Sequence, residues 1–158
     1  MPAACGRLDA SDAGDDSAAR AASDLVVIDE STASVLTVWQ SLTENHTEWW
    51  PDMTFEAVRG APLHETWTEE GVEYHATGRV VEVQDGTVLT FDWREPGWPA
   101  PLGVSFELEH IARGTRGSVT ERGFDSLPNG HAVSAAHHEG WRHHLARLCS
   151  HAERSARG

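Results

Sequence analysis

The chain has 158 residues and a formal net charge of −13 at pH 7, and all of its basic residues are arginine. This acidity excludes a nucleic-acid-binding protein, which needs a basic face, and it argues against docking on an anionic membrane surface. Because lysine is absent, a Walker A phosphate loop, a Schiff-base enzyme and a Ser–Lys nucleophile pair are also excluded.

Residues 1–23 differ in composition from the rest of the chain. They are rich in Ala, Asp, Ser and Gly and show no periodic apolar stripe, so we predict a disordered acidic tail ahead of one domain over residues 24–155. No segment has the apolar run of a signal peptide or of a membrane-spanning helix. The two cysteines, Cys5 and Cys149, form no CxxC pair, which favours a cytoplasmic protein with reduced thiols.

The first ordered elements are predicted to be a strand and two short helices. Residues 25–28 are a short apolar run, which is typical of a strand. Apolar residues then recur at helical spacing over residues 35–42, after a Ser-Thr pair that can cap the helix. A second short helix is expected over residues 44–49. It ends there because Pro51 disfavours the helical state in the residue before it.

Hairpin-linked strands are predicted for the middle of the chain. Asp85-Gly86 is a strong hairpin signal, and Gly78 inside a long strand indicates a bulge or close packing by another element. A proline-rich loop over residues 95–101 carries Trp98 at its tip. The six strands are expected at residues 54–58, 63–69, 74–83, 88–93, 104–108 and 115–124.

The last element is predicted to be a long helix over about residues 133–154, with an apolar stripe that includes Trp141, Leu145 and Leu148. Consecutive strands framed by helices indicate an α+β domain and not a parallel βαβ one. Because long antiparallel sheets curl, we predict a curved antiparallel sheet of about six to seven strands. The apolar stripe of the C-terminal helix is wide enough to fill the concave face of this sheet.

Several stretches of the chain resemble one known superfamily. They are Val38-Trp39, Trp49-Trp50-Pro51, and residues 78–83, 89–93, 120–124 and 140–148. By the order and spacing of these stretches, the chain resembles the START-like, or SRPBCC, superfamily. Within it, the chain is similar to the branch of the C-terminal domain of the heat-shock protein 90 ATPase activator. The resemblance covers about residues 25–153. It implies a helix-grip fold whose cavity takes lipids, polyketides, hormones or other apolar ligands, with cyclisation or hydrolysis in some members; co-chaperone activity does not follow from the fold.

Aromatic residues are the first candidates for ligand contact. The chain has seven tryptophans, and aromatic walls are common in pockets that take flat or apolar molecules. The alternative interpretation is that these rings fill the concave space themselves, while Trp98 is interpreted as a lid residue on its loop. The candidate ligand-binding aromatics are Trp50, Trp67, Trp93, Phe106 and Trp141.

Two glutamates are candidate polar groups in the same space. Glu121 shares a strand face with Val119, because side chains alternate with a period of two, so it is predicted to face the core. There it would orient a ligand or act as a general base; the alternatives are a structural pair with an arginine such as Arg142, or a position on an exposed edge. Glu65 shares a face with Trp67, and the same alternatives apply to it.

The histidines prompt a metal hypothesis, which we do not favour. His137 and His144 lie seven residues apart on the last helix, about 10 Å by helix rise, so they cannot share an ion without help. His75 is predicted to face His137 across the cavity and is included in the ligand site. His138 and His143 are interpreted as solvated helix surface. We predict neither a metal nor a cofactor.

Three functions remain open, and we favour the first. The first is non-catalytic binding of a small apolar or aromatic molecule, because aromatic candidates outnumber plausible acid–base pairs. The second is a cyclase or hydrolase that uses Glu121 or His75. The third is a chaperone-activator-like module that binds protein through an exposed face. Both a monomer and a homodimer stay open, since a free sheet edge can pair two chains.

Overall fold

The computed structural model describes residues 23–158, so the predicted tail lies outside the described residues except for its last position. No helix in this part is long and apolar enough to cross a membrane. The two α-helices are α1 (Val35–Thr43) and α2 (Gly130–Arg157). The strands are β1 (Leu25–Ser31), β2 (Met53–Thr54), β3 (Pro62–Glu69), β4 (Val72–Gln84), β5 (Val88–Arg94), β6 (Leu102–Ile111) and β7 (Gly114–Arg122).

All seven strands form one antiparallel sheet in the order β1-β7-β6-β5-β4-β3-β2. Strands β2 to β7 pair with their neighbours in sequence, and β1 pairs with β7, so the first and last strands lie side by side. Buried residues alternate along β5, β6 and β7, so one face of the sheet packs inward and the other meets solvent. The predicted α+β helix-grip fold is confirmed.

Helix α2 packs on the inner face of the sheet and also contacts β1 and α1. It is 28 residues long, so it extends beyond the predicted range at both ends. Its apolar stripe contains Trp141, Leu145, Leu148 and Ala152, all at 0% exposure. Burial of this stripe against the sheet is the main reason why so long a helix forms, since tertiary packing stabilises a helix more than propensity does.

The segment between α1 and β3 departs from the prediction. Only one 3-10 turn, His46–Glu48, forms where a second helix was expected, and β2 is two residues long. The ring of His46 explains the difference, because its Nδ1 lies 2.9 Å from the carbonyl oxygen of Thr43 and its Nε2 lies 3.2 Å from that of Met53. Phe55 stacks on the same ring. The chain therefore wraps around a buried imidazole instead of continuing as a helix or strand.

Gly78 confirms the prediction of close packing inside a strand. It pairs with Trp93, and a Cβ atom at Gly78 would lie 1.7 Å from the backbone oxygen of Asp92 on β5. Strand β5 can approach β4 this closely only because the residue has no side chain. The irregularity in pairing lies two residues further on, between Val80 and Glu82.

Gly78→Ala is therefore expected to destabilise the fold by roughly 1–3 kcal/mol, since the new methyl group must displace backbone. The matched control is Gly103→Ala on β6, because a Cβ there would meet nothing within 4 Å. The control should not destabilise the fold and should stabilise it by up to about 1 kcal/mol, because alanine has less backbone freedom to lose on folding. Urea unfolding of both variants checks this, and equal effects at the two glycines would contradict the steric argument.

Candidate functional site

A fully buried carboxylate, Glu121, lies on the inner face of β7. Trp93 Nε1 donates to its Oε2 at 2.8 Å, and Trp141 Nε1 donates to its Oε1 at 2.8 Å. The Nδ1 atom of His137 lies 2.8 Å from the same Oε1. All three rings are buried. These bonds make a carboxyl group tolerable inside the core, because burying one without hydrogen bonds is very costly.

The inward orientation of Glu121 follows from the alternation of β7, as the sequence predicted. Thr115, Gly117, Val119 and Glu121 are the buried positions of this strand. The alternative pair with Arg142 does not form, because Arg142 is exposed on the outer side of α2 and pairs with Glu139 at 3.1 Å. The partners of Glu121 are therefore aromatic rings and not a guanidinium group.

A second fully buried carboxyl group, Glu65, lies on β3. Its Oε2 accepts a hydrogen bond from Trp50 Nε1 at 2.8 Å. The Trp50 ring stacks on His144 of α2 at 4.4 Å and meets Trp141 edge-on at 5.7 Å. Both buried carboxyl groups thus belong to one connected cluster of aromatic rings.

The predicted cavity is filled at its centre by this cluster. Trp141 is enclosed by Trp50, Trp93 and Phe106, with ring centroids 5.5 to 5.7 Å apart. Leu145 is fully buried on the same helix. The geometry therefore matches the alternative interpretation that the rings fill the concave space. A ligand role for Trp93, Phe106 and Trp141 stays a prediction.

Two buried ring nitrogens in the described part of the chain have no hydrogen-bond partner, Trp67 Nε1 and His144 Nδ1. Trp67 follows Glu65 on the same face of β3, and its ring stacks on Tyr74 of β4 at 5.8 Å. His144 stacks on the face of the Trp50 ring, whose Nε1 atom donates to Glu65. Because an unpaired buried polar group costs about 1–3 kcal/mol, these two atoms mark where an added polar atom would be stabilised.

The prediction from the sequence missed two members of this region, His144 and Tyr74. His144 was considered only as a metal ligand, yet it follows Trp141 by three residues, which places both rings on one face of a helix. Tyr74 lies directly opposite Trp67 across the β3–β4 hairpin. Its pairing follows from a turn at Glu70-Gly71, which the sequence does show.

His144 gives the site a pH-dependent contribution to stability. Burial lowers the pKa of His144 from 6.5 to about 3, and the nearby charges of Arg147 and His143 add to the effect. At pH values between these two pKa values, the unfolded chain therefore binds a proton at His144 that the folded chain does not bind. The stability contributed by His144 is complete above about pH 6.5 and is lost as the pH falls towards 3.

We expect the wild-type protein to lose roughly 2 kcal/mol more stability between pH 7 and pH 5 than a His144→Phe variant does. Phenylalanine keeps a ring against Trp50 but has no titrating group. Urea unfolding of both proteins at the two pH values isolates the effect, because other titrating groups are shared. The same loss in both proteins would show that His144 is not the titrating group.

His75 does not lie in the inner site, and its predicted position facing His137 is wrong. Its side chain is 45% exposed on the outer face of β4, where it pairs with Glu73 and stacks on His64. The inward positions of β4 are those of Ala76 and Val80. Within residues 23–158, no group of three or more His, Cys, Asp or Glu side chains is arranged to hold a metal ion.

Trp98 covers the Glu121–His137 pair from the loop between β5 and β6. Its ring is half-buried and lies 6.1 Å from that of His137, centroid to centroid. The guanidinium group of Arg94 donates to the carbonyl oxygen of Trp98 and so holds the loop. The predicted exposed lid residue is thus packed against the core.

Three comparisons place this architecture among known proteins. The family model described as "Activator of Hsp90 ATPase homolog 1-like protein" matches residues 32–153. No curated protein matches the chain in sequence. Protein NE0264 from Nitrosomonas europaea is similar in structure, with a TM-score of 0.71, 20% identity, and coverage of 88% of this chain and 99% of that one.

Two further solved structures show the same fold. Protein MLL2253 from Mesorhizobium loti has a TM-score of 0.67 and 20% identity, covering 81% of this chain and 95% of that chain. DynU16, a protein of the dynemicin biosynthetic locus, has a TM-score of 0.67 and 22% identity, covering 82% of this chain but 47% of its own. The family model spans α1 through most of α2, the elements that build the buried cluster. The chain therefore belongs to the Activator of Hsp90 ATPase homolog 1-like protein family.

Proposed function

We propose that the protein binds a small apolar or aromatic molecule on the inner face of β3, against Trp50, Trp67 and His144. One observation carries the proposal: Trp67 Nε1 and His144 Nδ1 are buried without hydrogen-bond partners. Native proteins pair nearly all such atoms, and a polar atom on an otherwise apolar or aromatic ligand would pair with a buried nitrogen of this kind. Aromatic surfaces with a few polar atoms between them are typical of small-molecule sites.

The shape of the interior supports the same location. Trp93, Trp141 and Phe106 fill the centre of the concave face, which favours a ligand position nearer the β3–β4 hairpin. There Tyr74 is half-buried and stacks on Trp67, so a ligand beside Trp67 would be near solvent. The structural likeness to DynU16, whose gene lies in a biosynthetic locus, favours a small-molecule ligand over a protein partner.

Native mass spectrometry of protein purified from its own host tests the proposal. We expect a bound small molecule at near-stoichiometric amount, which denaturing extraction then releases for identification. The comparison is Trp39→Phe, which changes a buried tryptophan of α1 outside the proposed site, against Trp67→Phe. Loss of the bound molecule only in Trp67→Phe supports the location. A wild-type protein that is empty and whose melting temperature no lipid or aromatic compound raises would refute the proposal.

A second candidate function is acid–base catalysis at His137. It is favoured by one contact, the 2.8 Å distance between His137 Nδ1 and Glu121 Oε1, because a carboxylate on Nδ1 orients the ring as in many catalytic histidines. If the protein is such an enzyme, a molecule extracted from the His137→Asn variant should be chemically converted by wild-type protein and left unchanged by the variant. Binding without conversion by either protein would reject catalysis and leave the binding proposal intact.

The chaperone-activator alternative has no comparable support in the structure. An exposed apolar patch around Trp98 would have favoured it, but Trp98 packs on the core. The exposed large apolar residues of the described part lie on other segments, and they are Val26, Ile28, Leu36, Val58, Val72 and Val81.

A further inference from the structure

We infer that the ligand of this site is an uncharged molecule that offers an oxygen acceptor, such as a phenol or alcohol, to the indole N–H of Trp67. This inference rests on the proposed function and adds the chemical class of the ligand. It would exclude fatty acids, phospholipids and other anions as well as plain hydrocarbons. Three features of the interior carry it: a donor without an acceptor, a neutral histidine and a lack of buried cations.

The indole of Trp67 sets the first requirement. Its nitrogen can only donate a hydrogen bond, and it is buried with no acceptor in reach. Glu65 shares the inner face of β3 with Trp67, but its Oε2 atom accepts from Trp50 and not from Trp67. A hydrocarbon in the site would leave the Trp67 N–H unpaired, whereas a ligand oxygen would satisfy it. The site therefore discriminates between molecules of the same shape that differ by one oxygen atom.

His144 sets the second requirement. Because burial lowers its pKa to about 3, the imidazole is neutral at neutral pH, and its Nδ1 either donates or accepts a hydrogen bond according to the tautomer. A hydroxyl group can match either tautomer, since it both donates and accepts. A neutral imidazole gives no charge with which to hold a carboxylate or phosphate.

The lack of buried cations sets the third requirement. The chain has no lysine, and none of the arginines within residues 23–158 is buried. The buried ionisable groups beside the aromatic rings include two glutamates, Glu65 and Glu121. The Nδ1 of buried His137 is engaged with Glu121. A ligand anion would therefore be desolvated beside carboxyl groups without a cationic partner, which costs several kcal/mol.

Three probes with the same methylphenyl ring test the inference: toluene, 4-methylphenol with an added hydroxyl group, and 4-methylbenzoate with an added carboxylate. We expect 4-methylphenol to bind wild-type protein roughly tenfold more tightly than either of the others, the gain from pairing one buried donor. Binding is followed by NMR, with the indole N–H resonance of Trp67 assigned by its disappearance in Trp67→Phe. That resonance should move on addition of 4-methylphenol and stay in place with toluene.

The variant Trp67→Phe should reduce the preference for 4-methylphenol over toluene to within about twofold. Trp39→Phe, the same chemical change outside the site, should keep the full preference. Equal binding of all three probes, or tightest binding of 4-methylbenzoate, would overturn the inference while the proposed function stands. If no probe binds, the chemical identity of the molecule that copurifies with the protein from its host tests the inference. An uncharged oxygen-bearing molecule supports it, and an anion or a hydrocarbon overturns it. An empty host protein overturns the proposed function itself.

Discussion

Replacing Glu121 with alanine is expected to destabilise the fold by roughly 3–5 kcal/mol, because each buried polar group left without its partner costs about 1–3 kcal/mol. The change leaves the indole N–H groups of Trp93 and Trp141 and the Nδ1 atom of His137 without their common acceptor. It also opens a small cavity between β7 and α2. The free energy of unfolding in urea, compared with wild type, measures the loss.

Two further variants separate the hydrogen bonds from the packing. Glu121→Gln keeps the size of the side chain and one acceptor oxygen, so we expect a smaller loss than for alanine. Glu107→Ala removes an exposed carboxylate from the outer face of β6 and should change stability by no more than about 0.5 kcal/mol. If Glu121→Ala were as mild as Glu107→Ala, the three ring contacts would contribute little to stability.

The position of Glu121 could be predicted from the sequence, but its partners could not. Alternation along β7 is local information, and it places Glu121 on the same face as Val119. The choice between Arg142 and the rings of Trp93 and Trp141 depends on how the sheet curves and where α2 crosses it. Those distances are set by packing of the whole domain, so periodicity along one strand does not contain them.

The orientation of His75 was predicted wrongly, although the local alternation of polar and apolar residues along β4 was sufficient to predict it. His75 has the same parity along β4 as Glu73, Thr77 and Arg79, all of which are polar and exposed. Tyr74, Ala76 and Val80 share the opposite parity and face inward or lie half-buried. The alternation along β4 therefore indicates that His75 points outward. The predicted pairing of His75 with His137 across the cavity is inconsistent with that alternation.

The filling of the cavity could not be predicted from composition. The same tryptophans can line an open pocket or close it, depending on rotamers and on the distance between sheet and helix. The structure shows the second arrangement for Trp93 and Trp141, since one carboxyl group, Glu121, draws both indole N–H groups to a single point. A buried acceptor thus helps to fix how these two rings pack, and Trp67 is not among its hydrogen-bond donors.

Because Trp141 is packed in this way, we expect Trp141→Ala to lower the free energy of unfolding by roughly 3–5 kcal/mol. The ring has 0% exposure and contacts Trp50, Trp93 and Phe106. Its removal leaves a cavity that α2 cannot close without losing its other contacts. It also removes one of the donors to Glu121. Chemical denaturation with fluorescence detection measures the change.

Trp141→Phe distinguishes the two roles of the ring. It keeps most of the packing and removes the N–H, so it should cost less than the alanine variant and still leave Glu121 with two donors. A loss below about 1 kcal/mol for Trp141→Ala would mean that the ring borders open space, contrary to its enclosure by three other rings. In that case the ligand would reach the centre of the sheet, and the site would extend from Trp67 to Glu121.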